Sequence, residues 1–224
     1  GAIFDEKQAG TFGLMGTFSS FFSHHISTME GGVVVTDDEE IYHILLCIRA
    51  HGWTRNLPKE NLLSGVKSDD PFEESFKFLL PGYNVRPLEM SGAVGSEQLK
   101  KLPSFIEVRR ENAEYFIEKF NDHPIVDIQR ELGASSWFGF ALILKNNTKV
   151  TKKEVVKLLT DNGIECRPIV TGNFLKNTEV LEYFDYEVCG TLENSEYIDE
   201  YGLFVGNHHV PLIKEIDYLY ETLD

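Results

Sequence analysis

Thr17-Phe18-Ser19-Ser20-Phe21-Phe22-Ser23-His24-His25-Ile26-Ser27-Thr28-Met29-Glu30-Gly31-Gly32 sets hydroxyl side chains, two adjacent imidazoles and a glycine pair between two apolar segments. Gly16 to Phe22, rich in aromatic and hydroxyl residues, reads as a buried strand, and the β-branched Val33-Val34-Val35-Thr36 as its antiparallel neighbour. The polar centre then falls on the connection between them. Glu30-Gly31-Gly32 marks backbone that must bend or approach another group closely. Ser19 and Ser23 can offer hydroxyls to an anion. His24 can act as a general base, because imidazole, with an ordinary pKa of about 6.5, titrates nearest neutrality. The competing reading is a surface turn with two solvated histidines, since two histidines in a loop specify little by spacing alone.

The same residues resemble the cofactor-lysine segment of the sugar aminotransferases of pyridoxal phosphate fold type I, the DegT/DnrJ/EryC1/StrS family. In that segment a serine-bearing run leads to the lysine and then, after a short polar stretch, to E-G-G. Glu30-Gly31-Gly32 sets the register, Ser19 matches the serine, and His24 stands at the lysine position. His24-His25-Ile26-Ser27 followed by E-G-G is similar to the family's sugar 3-dehydratases, which carry histidine there. The resemblance implies an α/β fold, that of the aspartate aminotransferase-like fold type I transferases. It also implies loss of the C3 hydroxyl from GDP-4-keto-6-deoxy-D-mannose, as in GDP-colitose and O-antigen biosynthesis. Pyridoxal/pyridoxamine 5′-phosphate would be the cofactor and L-glutamate the amine source, with His24 catalytic and Ser19 on the cofactor. An aminotransferase that has lost its lysine, similar to the perosamine synthases, and a non-catalytic homologue acting as a binding subunit are the alternatives.

With 224 residues, 42% of them apolar, the chain can bury a substantial core as one large domain or two small ones. It begins at Gly1, and family members extend further on the N-terminal side, so a C-terminal portion is expected. By resemblance, the aromatic that stacks on the cofactor ring, the phosphate cradle and the carboxylate on the ring nitrogen lie outside it. The net charge of −15 disfavours nucleic acid and anionic membranes as partners. No apolar run approaches the ~20 residues that span a bilayer. An anionic nucleotide sugar needs a locally basic site, and Arg49, Arg55, Arg86 and Arg167 are the candidates, each with a surface ion pair as its alternative. Cys47, Cys166 and Cys189 lack the short spacings of a metal or iron-sulfur site, so no metal and a reducing, cytoplasmic setting are expected.

Along the chain, Gly1 to Gly16 is turn-rich. Asp37 to Ala50 reads as a helix with acids first and Arg49 last, matching the helix dipole. Asn56 to Leu80 has no period, and long irregular connections are usually functional or disordered. Pro81-Gly82-Tyr83-Asn84-Val85-Arg86 resembles the family's G-Y-N-x-R element, which reaches the neighbouring subunit. That implies a homodimer with shared sites, Asn84 on the partner's cofactor phosphate and Arg86 near substrate. The alternative is a turn with Tyr83 packed in the core. Ser91 to Phe120 carries helical periodicity, with Pro103 expected to kink or break it. It matches the family's interdomain helix, so the expected division is 1–90, the end of the large cofactor-binding domain, and 91–224, a small α+β domain. Ile125–Ile128 and Trp137–Leu144 read as strands, and Thr151 to Asn162 as a helix with a Thr151/Glu154 capping box ended by Gly163. Ile164-Glu165-Cys166-Arg167-Pro168 resembles the family's G-I-E-x-R-P strand, which implies Glu165 and Arg167 at the substrate; the alternative is an ion pair between them. Leu203–His209 reads as a final strand and loop, placing His208 and His209 beside the substrate entrance rather than on a metal. Ile213–Leu223 reads as a terminal helix.

Overall fold

The computed structural model describes residues 1–224. The chain packs as two compact units, Gly1–Leu102 and Pro103–Asp224.

In the first unit, β1 (Ile3–Phe4) and β2 (Lys7–Gln8) form a hairpin whose two turn residues, Asp5 and Glu6, have φ of 48° and 61°. Positive φ at both positions suits the right-handed twist of a two-residue hairpin. β3 (Gly16–Ser19) and β4 (Gly32–Val35) pair antiparallel from Gly16↔Val35 to Ser19↔Gly32, as their aromatic and β-branched composition predicts. The burial expected of the first strand is not met: Phe18 is exposed, as are Val33 and Val34 on its partner, in a sheet of two strands. α1 (Glu39–Ile48) starts where Asp38 accepts a hydrogen bond from Ile41 N at 2.9 Å, a side-chain cap on an otherwise unpaired donor. Its inner face sets Leu46 and Cys47 with Leu57 in a small core.

Asn56–Leu80 is less irregular than the sequence suggests. It holds the hairpin of β5 (Glu60–Asn61) and β6 (Gly65–Val66), then α2 (Pro71–Glu74), capped by Asp70. α3 (Glu89–Phe120) runs unbroken through Pro103, against the expected break. A proline forfeits one main-chain bond and crowds one carbonyl. The 32-residue helix outlasts that loss because Arg109, Asn112, Ala113, Phe116 and Phe120 are buried on its C-terminal half.

The second unit is built on an antiparallel sheet of order β7-β8-β10-β9, from β7 (Val126–Ile128), β8 (Gly139–Leu144), β9 (Cys166–Arg167) and β10 (Gly202–Gly206). α4 (Lys152–Asp161) opens with the predicted Thr151/Glu154 capping box. α5 (Thr178–Leu181) and α6 (Glu193–Tyr201) follow, and α7 (Ile213–Leu223) closes the chain. Phe116 stacks on Phe140 with ring centroids 4.2 Å apart and on Phe120 at 4.6 Å, at the centre of one apolar core. Burying a side chain of this size contributes about 1.5–3 kcal/mol. No helix is long and apolar enough to cross a membrane.

Candidate active site

The loop from Ser20 to Gly31 is knotted at its base. Ser20 Oγ and Thr28 Oγ1 lie 2.6 Å apart, both residues buried, and Thr28 Oγ1 also donates to Glu30 O at 3.0 Å. Ser20 N donates to Gly31 O at 3.0 Å and Thr28 N to Ser20 O at 2.9 Å. Gly31 has φ of 140°, and a Cβ there would lie 3.0 Å from Thr28 Oγ1 and 3.1 Å from Ser20 Oγ; at Gly32 it would lie 2.9 Å from Phe18 O. The glycine pair is therefore a close-approach device, as expected.

Within this loop His24 is half-buried, its N–H donating to Phe21 O at 3.0 Å and its ring edge-on to Phe21 at 5.9 Å. Exposed Ser19 accepts from Phe21 N at 3.3 Å. Phe21 thus joins the first hydroxyl to the imidazole. No lysine occurs between Lys7 and Lys59.

Asn84 lies opposite Ala50 in a ladder made by Tyr83 N to Ile48 O (2.6 Å), His51 N to Tyr83 O (2.8 Å) and Val85 N to Arg49 O (3.0 Å). The ladder leaves Asn84 and Arg86 exposed. Tyr83 is 70% exposed, so it is not packed in the core. Arg49 is half-buried, with its Nε unpaired. Arg55 is exposed, its guanidinium 4.4 Å from the centroid of Trp53. The contacts that hold Arg55 and Asn84 come from the 48–86 region rather than from the loop of His24.

Glu165 and Arg167 belong to the second unit, at and beside β9. They form no ion pair. Instead the Arg167 guanidinium lies over Phe204 at 4.9 Å and Phe138 at 5.6 Å, and Glu165 is exposed. No group of three or more His, Cys, Asp or Glu side chains is placed to hold a metal ion; His208 and His209 lie ring to ring at 4.1 Å, with His209 stacked on Phe105. The three cysteines are free, and burial pushes the Cys47 and Cys166 thiols above their ordinary range.

Two polar clusters had no sequence signal strong enough to find them. Buried Arg109 donates to the carbonyls of Trp137, Phe138 and Asn207, while Asn112 donates to Asn207, His208 and Val210. Together they tie the His208–His209 loop to α3. Lys67 and Glu74 grip the turn that carries Arg55; the Asp70-Pro71 pair, a helix-start signal, was the local hint of order there.

A family model described as the DegT/DnrJ/EryC1/StrS aminotransferase family matches residues 1–217. Over 223 residues the chain is 72% identical to a protein of Escherichia coli O55:H7 named GDP-4-keto-6-deoxy-D-mannose 3-dehydratase, covering all of this chain and 58% of that one. A solved structure of the E. coli enzyme with bound hydrated PLP superposes with a TM-score of 0.97 at 71% identity, covering 100% of this chain and 58% of that one. A second, described as holding a trapped PLP-glutamate geminal diamine, has the same TM-score of 0.97, identity of 71% and coverage of 100% and 58%. The chain thus spans about 58% of the length of these relatives.

Proposed function

The chain belongs to the DegT/DnrJ/EryC1/StrS aminotransferase family, with its fold type I architecture, and we propose that it removes the C3 hydroxyl of GDP-4-keto-6-deoxy-D-mannose with L-glutamate as amine source. The observation that carries the reading is His24, held on a loop knotted by Ser20 and Thr28 in a segment without lysine. The relative named for this activity, and a solved structure of a GDP-4-keto-6-deoxymannose-3-dehydratase described as holding PLP with glutamate, support it.

The donor set fits pyridoxal or pyridoxamine phosphate. Ser19, an exposed hydroxyl one turn from His24, would hold the phosphate, and Asn84 would reach the phosphate of a partner subunit in a homodimer with shared sites. Gly31 and Gly32 keep side chains out of the loop's base, so the main chain itself closes it. When bound, the cofactor's pyridine ring supplies the electron sink for carbanion chemistry. His24 would take the proton from the cofactor's methylene carbon and return one to the departing C3 oxygen, since one imidazole can serve as base and then as acid. With no lysine in the segment, His24 is the group we assign to that proton. Arg55, Arg86 and Arg167 would meet the anionic nucleotide and Glu165 the sugar. We also assign residues 1–90 to the large domain and 91–224 to the small one. A cytoplasmic setting is supported by the free thiols.

Mass spectrometry of the product formed from GDP-4-keto-6-deoxy-D-mannose, cofactor and glutamate tests the reading. A 3-deoxy ketose is expected; an amino sugar that keeps its C3 oxygen overturns it in favour of aminotransfer.

A further inference from the structure

Lys67 makes three hydrogen bonds to main-chain carbonyls: Thr54 O at 3.2 Å, Leu57 O at 3.2 Å and Arg55 O at 3.5 Å. An ammonium has three donors, and all three are taken by one turn, the 3₁₀ segment Thr54–Asn56 and the residue that ends it. Lys67 forms no ion pair with any carboxylate. The lysine is itself anchored, its N–H donating to Lys59 O at 2.8 Å.

The other side of the turn is held as firmly. Thr54 is fully buried, its Oγ1 donating to Glu74 Oε2 at 3.0 Å and its N–H to Lys77 O at 3.0 Å. Glu74 also accepts from Ser68 N at 2.9 Å and Lys77 Nζ at 3.0 Å. The Ser68 N–H first, then Lys77, holds the Glu74 carboxyl below its ordinary range, so it remains the charged acceptor. The result is a rigid turn with a single free cation, Arg55, lying 4.4 Å over Trp53, which is itself flanked by Phe76 at 5.8 Å and Phe78 at 5.5 Å.

We propose that Lys67 is a positioning residue for Arg55: it converges the carbonyls of the Thr54–Leu57 turn and thereby fixes where the guanidinium meets the nucleotide sugar. The inference rests on the substrate role given to Arg55 above. Lys67 cannot meet the anion directly, because its donors are spent on the turn. Without it, three carbonyl dipoles face one another with only water between them, and the turn relaxes. A compact ammonium suits converging carbonyls better than the planar fork of arginine.

The test uses the full-length protein. Trp53 emission, isolated by difference against Trp53→Phe and read without substrate, should shift in Lys67→Met as it does in Arg55→Ala. KM for the nucleotide sugar should rise about tenfold, with kcat within about twofold and KM for glutamate unchanged. In the Arg55→Ala background Lys67→Met should add nothing, because the two act through one contact. Lys67→Arg, the milder variant, should move emission and KM in the same direction by less. Unchanged Trp53 emission, a KM effect that persists without Arg55, or a uniform fall of kcat and both KM terms overturns the inference alone. An unchanged KM in Arg55→Ala overturns the substrate role of Arg55, and the inference with it.

Discussion

The guanidinium of Arg167 lies 4.9 Å from the ring centroid of Phe204, the residue directly across the ladder from it on β10. Phe138 adds a second ring at 5.6 Å, stacked on Phe204 with centroids 6.0 Å apart. An aromatic platform of this kind orders a long cation without neutralising it, which leaves its donors for an anion. Phe204→Leu should weaken binding of the nucleotide sugar by about 0.5–2 kcal/mol, the size of a cation–π contact. Calorimetric titration with the nucleotide sugar checks it, and unchanged affinity would remove Arg167 from the binding site.

His24→Asn should keep cofactor affinity, because Ser19 and Asn84 are untouched, yet lose about 10²–10⁴ in rate, as for removal of a general base. Single-turnover rates of the glutamate and dehydration half-reactions are the comparison. Both should fall; amine loading at the wild-type rate would assign that proton transfer to another group, with His25 or Glu165 next in line.

On the register proposed for His24, His24→Lys places an amine at the family's lysine position. Incubation with pyridoxal phosphate and borohydride should fix the cofactor covalently to residue 24, read by peptide mass, while dehydration falls sharply. A variant that binds cofactor but is never labelled would show that residue 24 does not face the aldehyde carbon.

Thr28→Val leaves the buried Ser20 hydroxyl without its 2.6 Å partner. An unsatisfied buried polar group costs about 1–3 kcal/mol, and here the cost falls on the base of the loop that carries His24. Thermal unfolding should show the loss, and the dehydration rate should drop with it; a stable variant of full activity would mean the knot does not hold His24.

His123 is fully buried with its Nε2 unpaired, and burial, only partly opposed by Asp224, pushes its pKa below the ordinary 6.5. Between the folded value and about 6.5 the unfolded chain binds the proton and the folded chain does not, so stability rises with pH there. The contribution is complete above about 6.5 and lost as pH falls through the folded value. Denaturant titrations from pH 7 downward should show this fall in wild type and not in His123→Phe. Asp217, Asp199, Glu74 and Glu154, all held below their ordinary values by hydrogen bonds, lose their stabilisation only at more acidic pH.

What the sequence determined by itself is local chemistry. The caps at Asp38 and Thr151, the antiparallel pairing across His24, the glycines that close that loop and the terminal helix all follow from neighbours within a few residues, where propensity and hydrogen-bonding geometry decide. The resemblance that assigns His24 to the lysine position is legible for the same reason, since a motif is a local object. Tertiary structure decided the rest. Pro103 stays inside a helix because the residues beyond it are buried, and Arg109 is taken into the second unit by carbonyls as far as 98 residues away. The sequence alone also left the stretch that grips Arg55 looking shapeless, since ammonium and carboxylate contacts to a turn ten to twenty residues away have no period. Such contacts are set by which segments the core brings together, and a linear pattern records only the residues, not the meeting.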